Sequence, residues 1–253
     1  MPHLGTSPTN LWTVSDRTVD LVRPVIPPRR LTISARPQDV ILDLNRTALL
    51  ILDMQNDFCD PEGWFASKGV DIRPIQAVIP VLNRLLPVLR SLHIPILWIN
   101  WGNRPDRLNL SPSLLHAGNP NGAGLGYGDR APSGRGEILR QDSWGSEITA
   151  ALQVEPSDIQ VYKYRFSGFW DNELDSILRN LGITTLLYGG INLDRCLFAT
   201  LQDGSFLGYD SLLIQDAAAT VSPQYVSDAI VFLIHQIYGF TTQSEAFLEA
   251  LHP

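Results

Sequence analysis

Apolar residues in this chain follow two recurring patterns, short continuous runs and longer stretches with helical spacing. Short continuous runs are typical of strands that are buried on both faces of a parallel sheet. Such runs predict strands at residues 47–54, 94–101, 158–162, 184–188 and 211–215. Helices are predicted at residues 74–92, 145–152, 172–181, 224–238 and 244–251, with a kink in the first because Pro80 and Pro87 lie inside it. The alternation of the two patterns predicts an α/β fold, a single doubly wound parallel sheet with helices on both faces.

The first 45 residues differ from the rest of the chain in being rich in proline. Pro24, Pro27, Pro28 and Pro37 disfavour long regular elements there. The same stretch is nevertheless too apolar for a disordered tail. We therefore expect residues 1–45 to form an irregular arm that packs on the domain or on a neighbouring subunit, and residues 46–253 to form one α/β domain.

Composition narrows the classes of partner and the compartment. The formal net charge of −7 argues against a nucleic-acid partner or an anionic membrane surface. No apolar run approaches the roughly 18 residues that a membrane span needs. Two cysteines do not make a disulfide framework, and no basic-then-apolar leader precedes the first strand. We expect a cytoplasmic protein that binds a small molecule and no membrane.

The stretch after the run at 184–188 combines a chain break with a cysteine. Gly189 and Gly190 are expected to end the strand, and a helical pattern restarts shortly afterwards. Asp194 is a candidate N-cap, which would place Cys196 in the first turn of the helix. The helix dipole would then favour the thiolate, and nearby backbone N–H groups would be available for an oxyanion. The alternative is that Cys196 is simply a small buried apolar residue.

Two charged residues end other predicted strands. Asp53 lies at the end of the run at 47–54, and Lys163 follows the run at 158–162. Because ligands of doubly wound sheets bind beyond the carboxyl ends of the strands, Asp53, Lys163 and Cys196 are expected to share one mouth. Asp53 would accept the thiol proton, and Lys163 would stabilise the thiolate. A turn-capping Asp and a solvent-exposed Lys are the plainer alternatives.

Three ordered segments resemble the signature segments of the isochorismatase-like cysteine hydrolases. They are Leu52-Asp-Met-Gln-Asn-Asp-Phe58, Lys163-Tyr-Arg-Phe-Ser-Gly-Phe169 and Gly190-Ile-Asn-Leu-Asp-Arg-Cys196. Within that superfamily the chain is most similar to ureidoacrylate amidohydrolases, with biuret and triuret hydrolases as near relatives. The features that indicate this are the lead-in beginning at Leu31, the Tyr164–Phe169 stretch and the segment 174–179.

The resemblance implies a set of roles for the matching residues. It implies an Asp53–Lys163–Cys196 catalytic triad, a non-proline cis peptide between Ile191 and Asn192, and an oxyanion hole formed by the backbone N–H groups of Asn192 and Cys196. It implies no cofactor, and the Asp-x-His segment of the metal-binding nicotinamidase branch is absent from this sequence, so no zinc is expected. Asn192 and Leu193 depart from the small or hydroxyl residues usual at these positions, which leaves the substrate open.

The leading hypothesis is a metal-free cysteine amidohydrolase of a small amide, ureido or carbamoyl compound, active as a homo-oligomer, either a dimer or a tetramer. Side chains predicted to shape its pocket are Asn100, Trp101, Tyr164, Phe169, Trp170 and Asn192. The loop at 102–136, rich in Gly, Pro, Asn and Ser, is expected to be either functional or disordered, as long loops in compact domains usually are. Alternatives are a vinyl-ether hydrolase that needs no nucleophilic cysteine, a catalytically silent oligomeric scaffold, and a redox sensor with Cys59 as resolving thiol.

Overall fold

Six parallel strands form the central sheet of the computed structural model, which describes residues 1–250. They are β6 (Thr47–Leu52), β7 (Ile96–Trp101), β8 (Ile159–Lys163), β9 (Thr185–Ile191), β10 (Asp210–Ala219) and β11 (Gly239–Thr242). Their order across the sheet is β11-β10-β9-β6-β7-β8, so the chain reverses direction of winding next to β6. The prediction of an α/β doubly wound parallel sheet is confirmed.

Helices cover both faces of this sheet. They are α1 (Asn56–Cys59), α2 (Trp64–Ser67), α3 (Arg73–Gln76), α4 (Val78–Ser91), α5 (Pro112–Gly118), α6 (Leu174–Leu181), α7 (Phe198–Phe206), α8 (Gln224–Leu233) and α9 (Glu245–Glu249). Alternate residues of β6 point to opposite faces: Leu49 packs in the core under α4, and Leu50 packs in the core under α6 and α7. Two apolar cores, one on each face, explain why the central strands are apolar throughout.

The first predicted helix is divided rather than merely kinked. Residues 74–92 form α3 and α4, separated at Ala77. A proline nitrogen has no hydrogen to donate, so Pro80 cannot make the helical hydrogen bond to the carbonyl of Gln76. Pro87 lies inside α4, which continues past it to Ser91.

Gly189 and Gly190 do not end the strand, which corrects the expectation from sequence. β9 runs through both glycines to Ile191, and Gly190 remains paired with Leu52 of β6. Gly190 has a φ of 100°, and a Cβ atom there would lie 2.2 Å from the carbonyl oxygen of Leu52. The glycine therefore allows the two central strands to approach closely at the edge of the sheet where they end.

Three further elements differ from the predictions. Only a single 3₁₀ turn, Trp144–Ser146, occurs where a helix was expected at 145–152, and β11 was not predicted. The helix expected at 224–238 consists of α8 followed by a π-helical turn, Ile234–Tyr238. The helix expected at 244–251 corresponds to α9, and its last expected residue, Leu251, lies outside the described residues. None of the helices within residues 1–250 is long and apolar enough to cross a membrane.

The first 45 residues are more regular than their prolines suggested. β1 (His3–Ser7), β2 (Asn10–Val14) and β3 (Val19–Asp20) form a small antiparallel sheet, and β4 (Arg30–Ile33) pairs with β5 (Val40–Asp43). The arm packs on the domain. Its Thr9 hydroxyl donates to the carbonyl of Leu181 at 2.9 Å, and Arg36 pairs with Thr241 at the free edge of β11. This contact covers part of an edge strand that would otherwise be unpaired.

Candidate active site

Asp53 and Lys163 form a buried ion pair at the carboxyl edge of the sheet. Lys163 Nζ lies 3.0 Å from Asp53 Oδ2, and both side chains are almost completely buried. Lys163 also donates to the carbonyl of Arg165 at 3.3 Å and lies 4.2 Å from the ring centroid of Trp101. Asp53 is held by its backbone N–H, which donates to the carbonyl of Ile99 at 3.0 Å. The plainer alternatives, a turn cap and a solvent-exposed lysine, are therefore wrong.

Cys196 reaches the same edge through a π-helical turn. β9 ends at Ile191, the Ile191–Asn192 peptide bond is cis, and Leu193–Leu197 form the turn that continues directly into α7. Asp194 lies inside this turn and does not cap it, which corrects the expected N-cap. Its carboxylate instead accepts hydrogen bonds from the hydroxyls of Thr220 and Ser222.

The pKa of the Cys196 thiol is shifted in the direction opposite to that expected from the helix dipole. Burial raises the pKa of the Cys196 thiol above its ordinary value and the Asp53 carboxylate raises it further, although Lys163 lowers it. Burial also raises the pKa of Asp53, while Lys163 and the thiol lower it. Burial thus favours the protonated form of the thiol, and it makes the Asp53 carboxylate a stronger base than an exposed one.

Both carboxylate oxygens of Asp53 lack an aligned hydrogen-bond donor among the described residues. The Lys163 ammonium lies close to one oxygen without hydrogen-bond geometry, so it acts mainly through its charge. A buried carboxylate with free lone pairs beside a thiol is poised to accept a proton.

A cavity of about 310 Å³ opens in front of these groups, and Asp53, Cys196 and Asn192 line it. Half of the other residues that line it are aromatic: Phe58, Trp64, Phe65, Trp101, Tyr127 and Phe166. Trp101 and Tyr127 are stacked, with ring centroids 4.8 Å apart and an interplanar angle of 11°. Flat walls of this kind fit a small planar group such as an amide.

Trp101 and Asn192 are the predicted pocket residues that line the cavity. Asn192 is partly engaged by the protein, because its Oδ1 accepts from the backbone N–H of Val221 at 3.3 Å. Trp101 is fixed by Gln55, whose side chain both donates to the Trp101 carbonyl and accepts from the Trp101 N–H, at 2.8 and 2.7 Å.

The four other predicted pocket residues lie elsewhere. Asn100 is buried in β7 and does not line the cavity, and Phe169 stacks on Tyr209 in the core of the opposite face. Trp170 is 58% exposed. Tyr164 lines a separate surface groove with Arg165. Position just beyond a strand end was therefore not sufficient to place a side chain in the cavity.

Residues that the sequence reasoning missed come from two segments that cover the cavity. Trp64 and Lys68 lie after β6, while Ala117, Gly118 and Tyr127 lie in the 102–136 loop. Part of this loop therefore forms part of the cavity wall. Arg195, next to the cysteine, also lines the cavity and was not singled out.

Asp57 ties these covering segments to the site. It is buried, and its carboxylate accepts from the backbone N–H groups of Leu139 at 2.7 Å and Trp64 at 3.2 Å. The sequence feature that could have indicated Asp57 is its position as a second acidic residue shortly after a buried strand. A carboxylate buried there needs hydrogen-bond partners.

Cys59 is buried and does not line the cavity. The cavity therefore gives it no access to Cys196. Among residues 1–250, no group of three or more His, Cys, Asp or Glu side chains is placed to hold a metal ion. The donor set present around Cys196 therefore does not fit a zinc site.

The parallel six-stranded sheet with the cysteine turn at its carboxyl edge defines an isochorismatase-like α/β fold. A model of the isochorismatase domain matches residues 47–245, and the chain belongs to this family.

Solved structures show the same fold. A cysteine hydrolase from Pseudomonas syringae pv. phaseolicola is 22% identical, covering 83% of this chain and 95% of that one, with a TM-score of 0.69. N-carbamoylsarcosine amidase from Thermoplasma acidophilum is 21% identical, covering 79% and 97%, with a TM-score of 0.61. Pyrazinamidase of Pyrococcus horikoshii, solved with zinc, is 19% identical, covering 78% and 99%, with a TM-score of 0.61. These likenesses show the fold, and two of these proteins carry the names of amidases.

Proposed function

We propose that the protein is a metal-independent cysteine amidohydrolase that cleaves a C–N bond of a small amide, ureido or carbamoyl compound. The observation that carries this proposal is the buried Asp53–Lys163 ion pair, whose Asp53 lines the same cavity as Cys196. A buried ion pair beside a free thiol is costly as a purely structural feature, whereas a nucleophile needs a base and a cation close to it.

In the first half-reaction Cys196 Sγ attacks the carbonyl carbon as its proton passes to Asp53. The carbonyl oxygen becomes an oxyanion, which the backbone N–H groups of Asn192 and Cys196 are proposed to hold. Collapse of the tetrahedral intermediate breaks the C–N bond, and Asp53 returns the proton to the departing nitrogen. Ammonia or an amine leaves, and the acyl group remains on sulfur as a thioester.

In the second half-reaction water takes the place of the departed amine. Asp53 removes a proton from the water as it attacks the thioester carbonyl, and that proton then returns to the Cys196 sulfur. The products are the free enzyme and a carboxylic or carbamic acid. The Lys163 ammonium stabilises whichever of the two neighbouring groups, Asp53 or Cys196, is anionic at each stage.

The substrate is proposed to be ureidoacrylate-like or biuret-like. The support is the resemblance of the three signature segments and the cavity itself, whose volume of about 310 Å³ and aromatic walls suit a small planar molecule. Ureides and biuret are flat because their amide groups are conjugated.

The test is ammonia release from a panel of ureidoacrylate, biuret and simple aliphatic amides, for the wild type and for Cys196→Ala. We expect turnover of at least one ureide by the wild type, and none by the variant. Mass spectrometry of quenched wild-type reactions is expected to detect an acyl adduct on Cys196. Turnover of a vinyl ether that survives Cys196→Ala would instead support the nucleophile-free hydrolase, and a lack of any adduct or turnover would support the scaffold.

A further inference from the structure

Helix α8 is more apolar than its burial in this chain requires. Seven of its ten residues are apolar: Tyr225, Val226, Ala229, Ile230, Val231, Phe232 and Leu233. Ile230 alone among these ten described residues is buried, in the core between the sheet and α7. A helix that is apolar on most of its sides is normally covered on most of them. The described chain covers one side of α8 and leaves the other open.

Large apolar side chains occupy this open side and the elements next to it. Tyr225 and Phe232 lie seven residues apart, hence on one face of α8, and are 71% and 61% exposed. Ile237, in the π-helical turn that follows, is 65% exposed. In the same turn the ring centroid of Tyr238 lies 5.9 Å from that of Phe206, which ends α7 and is 72% exposed. We call Phe206, Tyr225, Phe232 and Ile237 the α8 face.

Charged residues are almost missing from this part of the sequence. Asp228 is the only Asp, Glu, Lys or Arg among residues 217–244, whereas about a quarter of the residues in a soluble domain are usually charged. Few charges together with exposed aromatic side chains are typical of the core of a protein–protein interface. A membrane surface fits poorly, because helices that lie on membranes carry Lys and Arg on their polar side.

The size of the α8 face fits the core of a dimer interface. A buried aromatic side chain covers about 150–250 Å², so these four side chains, each more than half exposed, present roughly 500 Å² of apolar surface. A stable interface buries about 800 Å² per partner, with an apolar core and a polar rim. Beside α8 lies a groove of about 630 Å³, which Phe232, His235 and Gln215 help to line. The surface thus offers both projecting side chains and a recess.

Charge favours a second copy of this chain as the partner. Two molecules with a net charge of −7 repel each other, so they approach most easily where the surface is nearly uncharged. Most soluble oligomers are symmetric, and in a two-fold dimer the same patch of both copies meets itself, which projections beside a recess allow. We propose that the α8 faces of two copies pack against each other around a two-fold axis.

The proposed interface adjoins the candidate active site without forming part of it. The segment that leads into α8 holds the cysteine turn, because the hydroxyls of Thr220 and Ser222 donate to Asp194 and the Val221 N–H donates to Asn192. Phe206, Tyr225 and Ile237 line neither the cavity nor the groove. Dimerisation through α8 therefore goes beyond the proposed hydrolysis and stands whether or not the cavity cleaves an amide.

The first test is sedimentation velocity of the full chain between about 1 and 100 µM, a range in which mass action reveals association. The variants are Phe232→Glu and Ile237→Glu. Val25→Glu is the matched control, since Val25 is 93% exposed in the arm, the other segment expected to contact a neighbouring subunit. We expect the wild type to dimerise or to form a tetramer of such dimers. Both α8 variants should raise the dissociation constant at this contact by at least ~30-fold, and the control should behave as the wild type.

Hydrogen exchange of the wild type at high and low concentration is the second test, and it needs no variant to fold. We expect amide hydrogens of residues 224–238 to exchange more slowly at the concentration at which the protein is associated. A wild type that stays monomeric throughout the range would overturn the proposed interface. So would glutamate variants that associate as the wild type does, an association that only Val25→Glu weakens, or exchange at 224–238 that is independent of concentration.

Discussion

Replacing Lys163 by methionine removes the only charge that compensates the buried Asp53 carboxylate within the described chain. At the observed Nζ–Oδ2 distance of 3.0 Å and an effective dielectric constant of about 20, the two charges attract each other by roughly 5 kcal/mol. Removing one partner of a buried pair typically costs about 3–5 kcal/mol, in agreement with that figure. Methionine is nearly isosteric with the lysine stem, so packing against Trp101 is retained and the change is mainly one of charge.

The loss of Lys163 should act on activity through the ionisation of Asp53. Burial already raises the pKa of this carboxyl and Lys163 lowers it, so the variant should raise it further. Proton acceptance from Cys196 requires the ionised carboxylate, and the acid limb of kcat/KM should therefore move to higher pH. The same change should raise the pKa of the Cys196 thiol, because Lys163 lowers that pKa as well. We expect kcat/KM at neutral pH to fall by at least ~100-fold.

The pH dependence of stability carries the same sign. A carboxyl whose folded-state pKa is raised binds its proton more tightly when folded, so its contribution to stability is present at low pH and is lost as pH rises through the folded-state pKa. Lys163→Met should therefore be much less stable than the wild type at neutral pH, and the difference should shrink as the pH is lowered.

The assays are the pH profile of iodoacetamide alkylation at Cys196, the pH profile of kcat/KM, and urea unfolding at several pH values. Arg165→Met is the matched control, because Arg165 is a partly exposed cation two residues further along the chain that pairs with Asp171. An alkylation profile identical to that of the wild type, with a pH-independent loss of stability, would refute the electrostatic role assigned to Lys163.

Four further outcomes are expected. Cys196→Ser should reduce ammonia release to below a tenth of the wild-type rate with no change in Tm, because a serine hydroxyl is much harder to ionise; a higher residual rate would contradict a cysteine nucleophile. Exhaustive chelation should leave turnover intact, and activity lost to EDTA and restored by added zinc would argue against metal independence. Asn192→Ala should change the kcat/KM ranking among ureidoacrylate, biuret and an aliphatic amide by about 10-fold while Cys196 remains alkylatable, and equal losses on all three would make Asn192 a structural residue of the turn. Gly190→Ala should lower the free energy of unfolding by about 3 kcal/mol or more in urea titrations, since its Cβ would overlap the Leu52 carbonyl; a change below ~1 kcal/mol would mean that the strands can separate there.

The pattern of apolar positions determined the class of fold. Strands buried on both faces must be apolar throughout, so they could be predicted without knowing which strands lie next to them. The carboxyl ends of parallel strands lie at one edge of the sheet, and this rule correctly predicted that Asp53 and Lys163 lie close together. The ends of the helices and strands were harder to predict. Glycine usually indicates a break in a strand, and Gly190 was interpreted in that way. In the structure Leu52 approaches Gly190 so closely across the sheet that only a glycine allows the strand to continue, and the sequence does not reveal this contact.

Only the tertiary structure decided which side chains line the cavity and how the thiol ionises. Trp64, Lys68 and Tyr127 come from covering segments whose placement depends on Asp57 and on contacts between residues far apart in the chain. Tyr164, Phe169 and Trp170 lie next to Lys163 in sequence but face elsewhere, because the chain turns after β8. The helix turn alone favoured a thiolate at Cys196, whereas the structure surrounds the sulfur with apolar walls and a carboxylate. Desolvation depends on every residue packed around a group. The direction of the pKa shift at Cys196 is therefore decided by the fold and not by the local sequence.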